Sequence, residues 1–234
     1  MSMKNILCTM LALGLSVSAA YAAPSVNRSG SSVIVKESLT DEGLSQAREI
    51  AGSIKMPEFK LEGVKDADLA KFCQAFPNAT RLSVKGGLTS IAPVAGLKNL
   101  TYFELEANKV TDMSPLANLT QLTRISLKSE KMGPDLKWMT GLTALREIEI
   151  NAGSALTSFE GFPALKGDPR VALNGASPAD LSPLKSLGSS KLELRYCTIQ
   201  DLSPLASMPN LRELSLYGAT VKDFSPLAKC AKLK

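Results

Sequence analysis

The sequence predicts an α/β solenoid: a right-handed stack of short repeats with a parallel β-sheet on the concave face, short helices or turns on the convex face, and a helical cap at the N-terminal end. Three observations predict it. An apolar-x-apolar doublet recurs as Leu82/Val84, Phe103/Leu105, Ile125/Leu127, Ile148/Ile150, Val171/Leu173, Leu192/Leu194 and Leu214/Leu216, in steps of 21, 22, 23, 23, 21 and 22 residues. A second motif follows the doublets as Ala92-Pro93-Val94, Ser114-Pro115-Leu116, Ser182-Pro183-Leu184, Ser203-Pro204-Leu205 and Ser225-Pro226-Leu227. The composition is 44% hydrophobic but only 5% aromatic, which suits a core layered from aliphatic side chains of similar size.

Each observation has a physical reading. Alternation with period two marks a short strand with two residues facing inward. Ser and Pro start a helical turn, where the N–H that Pro lacks is not needed, and the Leu that follows points back into the core. One such unit cannot bury its apolar side alone, so its stability comes from stacking on neighbours. At about 4.8 Å per strand, seven repeats make a stack of about 30 Å.

In chain order, residues 1–22 read as a signal peptide. Lys4 is the basic start, Ile6 to Val17 is apolar apart from Thr9 and Ser16, and Ala20-Tyr21-Ala22 is the small-x-small cleavage site. The apolar run is shorter than the roughly 20 residues a spanning helix needs, so cleavage is expected rather than anchoring. Residues 23–36 read as a flexible leader, rich in Ser, Gly and Pro, followed by a short strand at Val33 to Val35. Residues 37–78 read as an N-terminal cap containing the first strand, Phe59/Leu61. The cap has a helix from Thr40 to Ile54, started by Thr40 or Asp41, and a second from Asp66 to Phe76 that packs Leu69, Phe72 and Cys73. Residues 79–234 are about seven repeats. Beyond Ala228 to Lys234 no polar cap follows, so the C-terminal end is expected to be bare.

Asn118 to Leu127, preceded by Val110-Thr111-Asp112-Met113-Ser114-Pro115-Leu116, resembles the 22-residue leucine-rich repeats of the internalin family, and so does Met208 to Leu216. The likeness runs from about Ala79 to Leu233 and implies a leucine-rich-repeat solenoid. Several features depart from the family. Its buried asparagine ladder is expected only at Asn108, the equivalent places being Glu130, Gly153, Ala176, Cys197 and Ala219. Two repeats replace Ser-Pro-Leu by Asp135-Leu136-Lys137-Trp138 and Phe159-Glu160-Gly161-Phe162. Neither the immunoglobulin-like domain that follows the family's repeats nor a cell-wall sorting tail is present, so a covalently anchored invasin is not expected.

The chemistry-bearing residue types are sparse. There is no histidine, which removes the commonest general base and metal ligand. Gly86-Gly87 and Gly141 lack the Lys-Ser/Thr of a phosphate loop. Glu104 and Glu149 are two repeats apart, about 10 Å by strand spacing, which is wide for paired acid–base work. No cofactor and no enzymatic activity are expected. Asp112, Asp201 and Asp223 read as caps of the Ser-Pro turns rather than calcium ligands, and Asn99 and Asn118 as part of the repeat rather than glycosylation sites. The formal charge of +5 is interleaved with acidic residues, so no nucleic-acid partner is expected. No second stretch reaches membrane length, so stable insertion after cleavage is not expected either. Cys73, Cys197 and Cys230 make an odd mature set. Free buried thiols are expected, with a Cys197–Cys230 disulfide as the alternative in an oxidising compartment.

The expected function is therefore protein recognition on the concave face by an exported, periplasmic or secreted protein, a host protein being one candidate partner. One outward column runs Arg81, Tyr102, Arg124, Glu147, Arg170, Lys191, Glu213; the other runs Lys85, Glu106, Lys128, Asn151, Asn174, Arg195, Tyr217. Tyr and Arg are enriched at interface hot spots. The candidate protein-binding residues are Tyr102, Glu104, Arg124, Lys128, Glu149, Arg195, Tyr196 and Tyr217. The alternatives are an inhibitor of an exported enzyme and a structural envelope protein that self-associates end to end through its C-terminal turn. A glycan binder is disfavoured by the few aromatics.

Overall fold

The computed structural model describes residues 25–185 and 187–234; the expected signal peptide lies outside the described residues. A sheet of 10 strands runs the length of the molecule in the order β1-β2-β3-β4-β5-β6-β7-β8-β9-β11. The repeat strands are β3 (Glu58–Val64), β4 (Arg81–Gly86), β5 (Tyr102–Glu106), β6 (Arg124–Ser129), β7 (Glu147–Ala152), β8 (Arg170–Asn174), β9 (Lys191–Glu193) and β11 (Glu213–Ser215). All pair in parallel, each with its sequence-repeat neighbour. The doublets are in register, Phe103 opposite Ile125 and Leu105 opposite Leu127. A small parallel pair, β10 (Thr198–Ile199) with β12 (Thr220–Val221), forms beyond the sheet in the last repeats.

The N-terminal end departs from expectation. Residues 25–29 are not a flexible leader: β1 (Ser25–Ser29) turns back at Gly30, φ 58, and pairs antiparallel with β2 (Ser32–Lys36). The polar sequence hid this strand because it covers an edge rather than a core, with Val26 packing against the interior. It protects the edge of the parallel sheet. Behind it, α1 (Asp41–Gly52) is started by Thr40, whose hydroxyl accepts from Gly43 N at 3.1 Å. In α2 (Asp66–Ala75) the Asp68 carboxylate accepts from Lys65 N at 3.0 Å and Leu39 N at 2.9 Å, tying the two helices' entries together. Leu69, Phe72 and Cys73 are buried as expected, and Phe72 packs with Phe59 and Phe76 at ring separations of 5.0 Å.

On the convex side the repeats make 3₁₀ turns rather than α-helices: Ala92–Gly96, Ser114–Leu116, Lys137–Met139, Ser182–Leu184, Ser203–Ser207 and Ser225–Lys229. Asp112, Asp180, Asp201 and Asp223 each accept from the Ser N–H two residues on at 2.8 Å, so these carboxylates hold the turn open for Pro. The residue after Pro is buried at Val94, Leu116, Leu184 and Leu205. The irregular repeat at Phe159 has no such turn. Gly161, at φ 89, instead lets the chain lie against Lys137, where an added Cβ would stand 2.3 Å from the Lys137 Cα.

Asn108 does not form a ladder rung; it is exposed. The cause lies one residue earlier. In β5, β6 and β7 the alternation continues one step further, so Ala107, Ser129 and Ala152 turn inward and Asn108 and Glu130 turn out. After β8, β9 and β11 the corresponding residues, Gly175, Tyr196 and Gly218, have φ 76, 59 and 67. That left-handed step reverses the phase, so Ala176 and Cys197 are buried. Other donors serve the buried carbonyls: the Ser129 hydroxyl donates to Val110 O at 2.7 Å and the Cys197 thiol to Leu173 O at 3.2 Å. All three described cysteines are free, and burial pushes the Cys73 thiol up to about 12. In the last turn Leu214, Leu216, Val221, Leu227 and Leu233 are only partly covered and Phe224 is 55% exposed.

Candidate functional site

The strand pleat presents three outward levels on the concave face, and the structure divides the candidate residues between two regions. Toward the N-terminal side the charges satisfy one another. Arg81 and Arg124, from the strands on either side, bring their guanidiniums within 4.6 and 5.3 Å of the Tyr102 ring centroid. Arg124 also pairs with Glu147 at 3.3 Å. The Tyr102 hydroxyl donates to Glu104 at 2.8 Å, and burial, followed by that hydrogen bond and then the Glu104 charge, raises its pKa. Tyr102 is thus 7% exposed; it is not a free outward side chain, because the flanking guanidiniums cover it. Glu106 is bracketed by Lys85 at 2.9 Å and Lys128 at 3.0 Å, whose hydrogen bonds hold its carboxyl below the ordinary range.

The second region is a hollow of about 460 Å³ over β6 to β9, where Arg124, Glu149, Arg195 and Tyr196 meet. Its floor is Ala172, the small residue of a middle level that reads Glu104, Ser126, Glu149, Ala172, Glu193. A polar chain borders it. Asn151 donates to Glu149 at 3.1 Å, Asn174 donates to Asn151 at 3.1 Å, and Arg195 N donates to Asn174 at 3.0 Å. Arg195 Nη2 pairs with Glu193 at 3.0 Å while its Nε donates to Ser215 at 3.1 Å. Arg170 lines the hollow, and its guanidinium meets no partner among the described residues.

Tyr196 and Tyr217 rise at the rim with rings edge to face, 5.6 Å apart, and are 62% and 69% exposed. Tyr196 keeps its place because Gly218 lies beneath it; a Cβ there would stand 2.5 Å from the ring. The hollow thus contains residues the candidate set left out, Ala172, Glu193 and Arg170. For Ala172 the available signal was its small size in a level otherwise occupied by Ser and Glu.

No family model matches the sequence, and no curated protein matches it. Solved structures do. An internalin from Listeria monocytogenes strain 4b F2365 is similar at 21% identity and TM-score 0.60 over 87% of this chain, which spans 59% of that one. Internalin C2 of the same strain is similar at 23% identity and TM-score 0.51, covering 87% of this chain and 78% of its own. A leucine-rich-repeat protein of Leptospira interrogans is similar at 14% identity and TM-score 0.54, covering 84% and 56%. The chain has the leucine-rich-repeat fold, as its repeats implied.

Proposed function

We propose that this chain is an exported, non-enzymatic recognition module that binds a protein partner across the hollow over β6 to β9 and the Tyr196–Tyr217 rim. The observation that carries this reading is the backbone of Tyr196. Its φ of 59 is matched by glycine in both flanking repeats, Gly175 at 76 and Gly218 at 67. A side chain in this conformation costs about 1–2 kcal/mol, and Tyr196 recovers little of it through burial because it is 62% exposed. Strain kept for an exposed aromatic, next to a second one, points to a contact made with another molecule. The export part rests on the pattern of Lys4, Ile6 to Val17 and Ala20-Tyr21-Ala22, and suits a periplasmic or secreted protein. Among the described residues no helix is long and apolar enough to cross a membrane.

Capture from envelope and host lysates with the full chain, beside a Tyr196→Ala/Tyr217→Ala variant, tests the assignment. The expected result is a partner retained by the parent and lost by the variant. Equal capture by both would overturn the concave-face reading. The exposure of Phe224 (55%) favours a second reading, association of copies through the last turn. A sedimentation coefficient that rises with concentration, and no longer does in Phe224→Ser, supports it; a monomer throughout removes it.

A further inference from the structure

Glu149, Ala172 and Glu193 stand side by side on one level of the sheet across β7, β8 and β9. Their Cα positions put the two glutamates about 10 Å apart by strand spacing, with no side chain beyond a methyl group between them. The molecule shows elsewhere what such a level looks like when filled. Lys85, Glu106 and Lys128 lie across β4, β5 and β6 with the central carboxylate paired to both lysines, at 2.9 and 3.0 Å. The level at Ala172 has the opposite charge pattern and lacks its central member.

Both flanking carboxylates have unused capacity. Glu193 is only 8% exposed yet lines the hollow. Arg195 holds its Oε2 at 3.0 Å, and its Oε1 meets no partner among the described residues. Glu149 accepts one hydrogen bond, from the Asn151 amide at 3.1 Å, and meets no cation among the described residues.

We infer that the hollow seats a basic side chain of the protein partner, an arginine guanidinium or a lysine ammonium, lying over Ala172 and bridging Glu149 to Glu193. This rests on the concave-face reading above and names the chemistry of its partner. Arginine is the better fit, because its planar fork presents donors on two sides at once. The neighbouring cations do not prevent entry: Arg124 is paired with Glu147 at 3.3 Å and Arg195 is directed to Glu193 Oε2 at 3.0 Å, so the incoming cation meets Glu193 at Oε1 and takes its counter-charge chiefly from Glu149. Arg170 has no such partner, so an acidic residue close to the basic one is favoured in the bound segment. Tyr196 at the rim covers the alkyl stem.

The test uses a displayed random-peptide library selected on the immobilised full chain. The peptides obtained are measured by fluorescence polarisation against the parent, Glu149→Gln, Tyr196→Ala and, as a convex-side control, Glu160→Gln. The expected peptides share an Arg or Lys. Replacing that residue by Ala, or Glu149 by Gln, weakens binding about ten-fold, as expected for one charge-assisted hydrogen bond. The two changes together weaken it little more than either alone, and Glu160→Gln has no effect. Glu149 is exposed, and circular dichroism confirms that its variant folds. Peptides that lose affinity in Tyr196→Ala but lack a basic residue and ignore Glu149→Gln overturn the cation seat and leave the concave-face reading standing. Peptides indifferent to both variants, or no enrichment at all, overturn both.

Discussion

Asp66, Asp168, Asp201, Asp223 and Glu106 all have carboxyls held below their ordinary values by groups that exist only in the fold. The Thr89 hydroxyl acts on Asp66, the Ser190 backbone N–H on Asp168, the Ser203 hydroxyl on Asp201, the Ser225 backbone N–H on Asp223, and Lys85 with Lys128 on Glu106. A depressed folded pKa gives stability that is fully present above the unfolded value, 3.8 for Asp and 4.5 for Glu, and is lost as the pH falls through the folded one. The urea midpoint is therefore expected to stay flat from about pH 8 to about pH 5.5 and to decline below about pH 4. With no histidine in the chain, a step near pH 6.5 would contradict this. The thiols differ in the same residue-level way. Cys197 is 1% exposed and Cys73 7%, whereas Cys230 is only partly buried. A thiol reagent added to native protein should modify Cys230 first, and equal rates for all three would show that the last turn opens no more readily than the interior.

At the scale of the element, one residue decides how each repeat leaves its strand. A left-handed residue two places after the second apolar position turns the following side chain inward; an extended one carries the strand on. This rule explains why Ser129 is buried and Asn108 is not. Ser129→Ala should cost about 1–3 kcal/mol in chemical denaturation because it leaves the buried Val110 carbonyl unpaired, whereas Asn108→Ala should cost almost nothing. A costly Asn108→Ala would restore the ladder that the exposure of Asn108 argues against. Gly161→Ala adds a Cβ against the Lys137 backbone at φ 89 and should lower stability by more than about 2 kcal/mol. The sequence made the strands and Ser-Pro turns legible because both carry residue types at fixed spacing. It did not show the phase reversal, since φ at Tyr196 is set by its neighbours in the stack. Nor did it reveal β1, which is mostly polar because it covers an edge. Of the candidate residues, Arg124, Glu149, Arg195 and Tyr196 were brought to one hollow. Tyr102, Glu104 and Lys128 were spent on contacts within the sheet, and Ala172 was invisible to a search for large or charged side chains.

At the scale of the whole molecule, buried residues run without a break from Val33 to Leu211 in one core. Each repeat rests on the next, so the cap and the middle repeats should unfold together despite the one-dimensional architecture. Trp138, the single tryptophan, packs against that core in an irregular middle repeat. Its fluorescence and far-ultraviolet circular dichroism should give coincident urea transitions; separated transitions would mean that the irregular repeats divide the stack. The concave face has the same continuity. Its N-terminal half is closed by internal pairs and its later half is left open around Ala172, and the proposed recognition uses that open half.

The proposed role of Tyr196, strain kept for binding, has two separable consequences, read from Tyr196→Gly by its thermal midpoint and its partner affinity in parallel. Glycine suits φ 59, so the expected result is a midpoint raised by about 2–4 °C together with affinity reduced at least about ten-fold, the scale of an aromatic hot spot. Affinity unchanged from the parent, or a midpoint that falls, would contradict it.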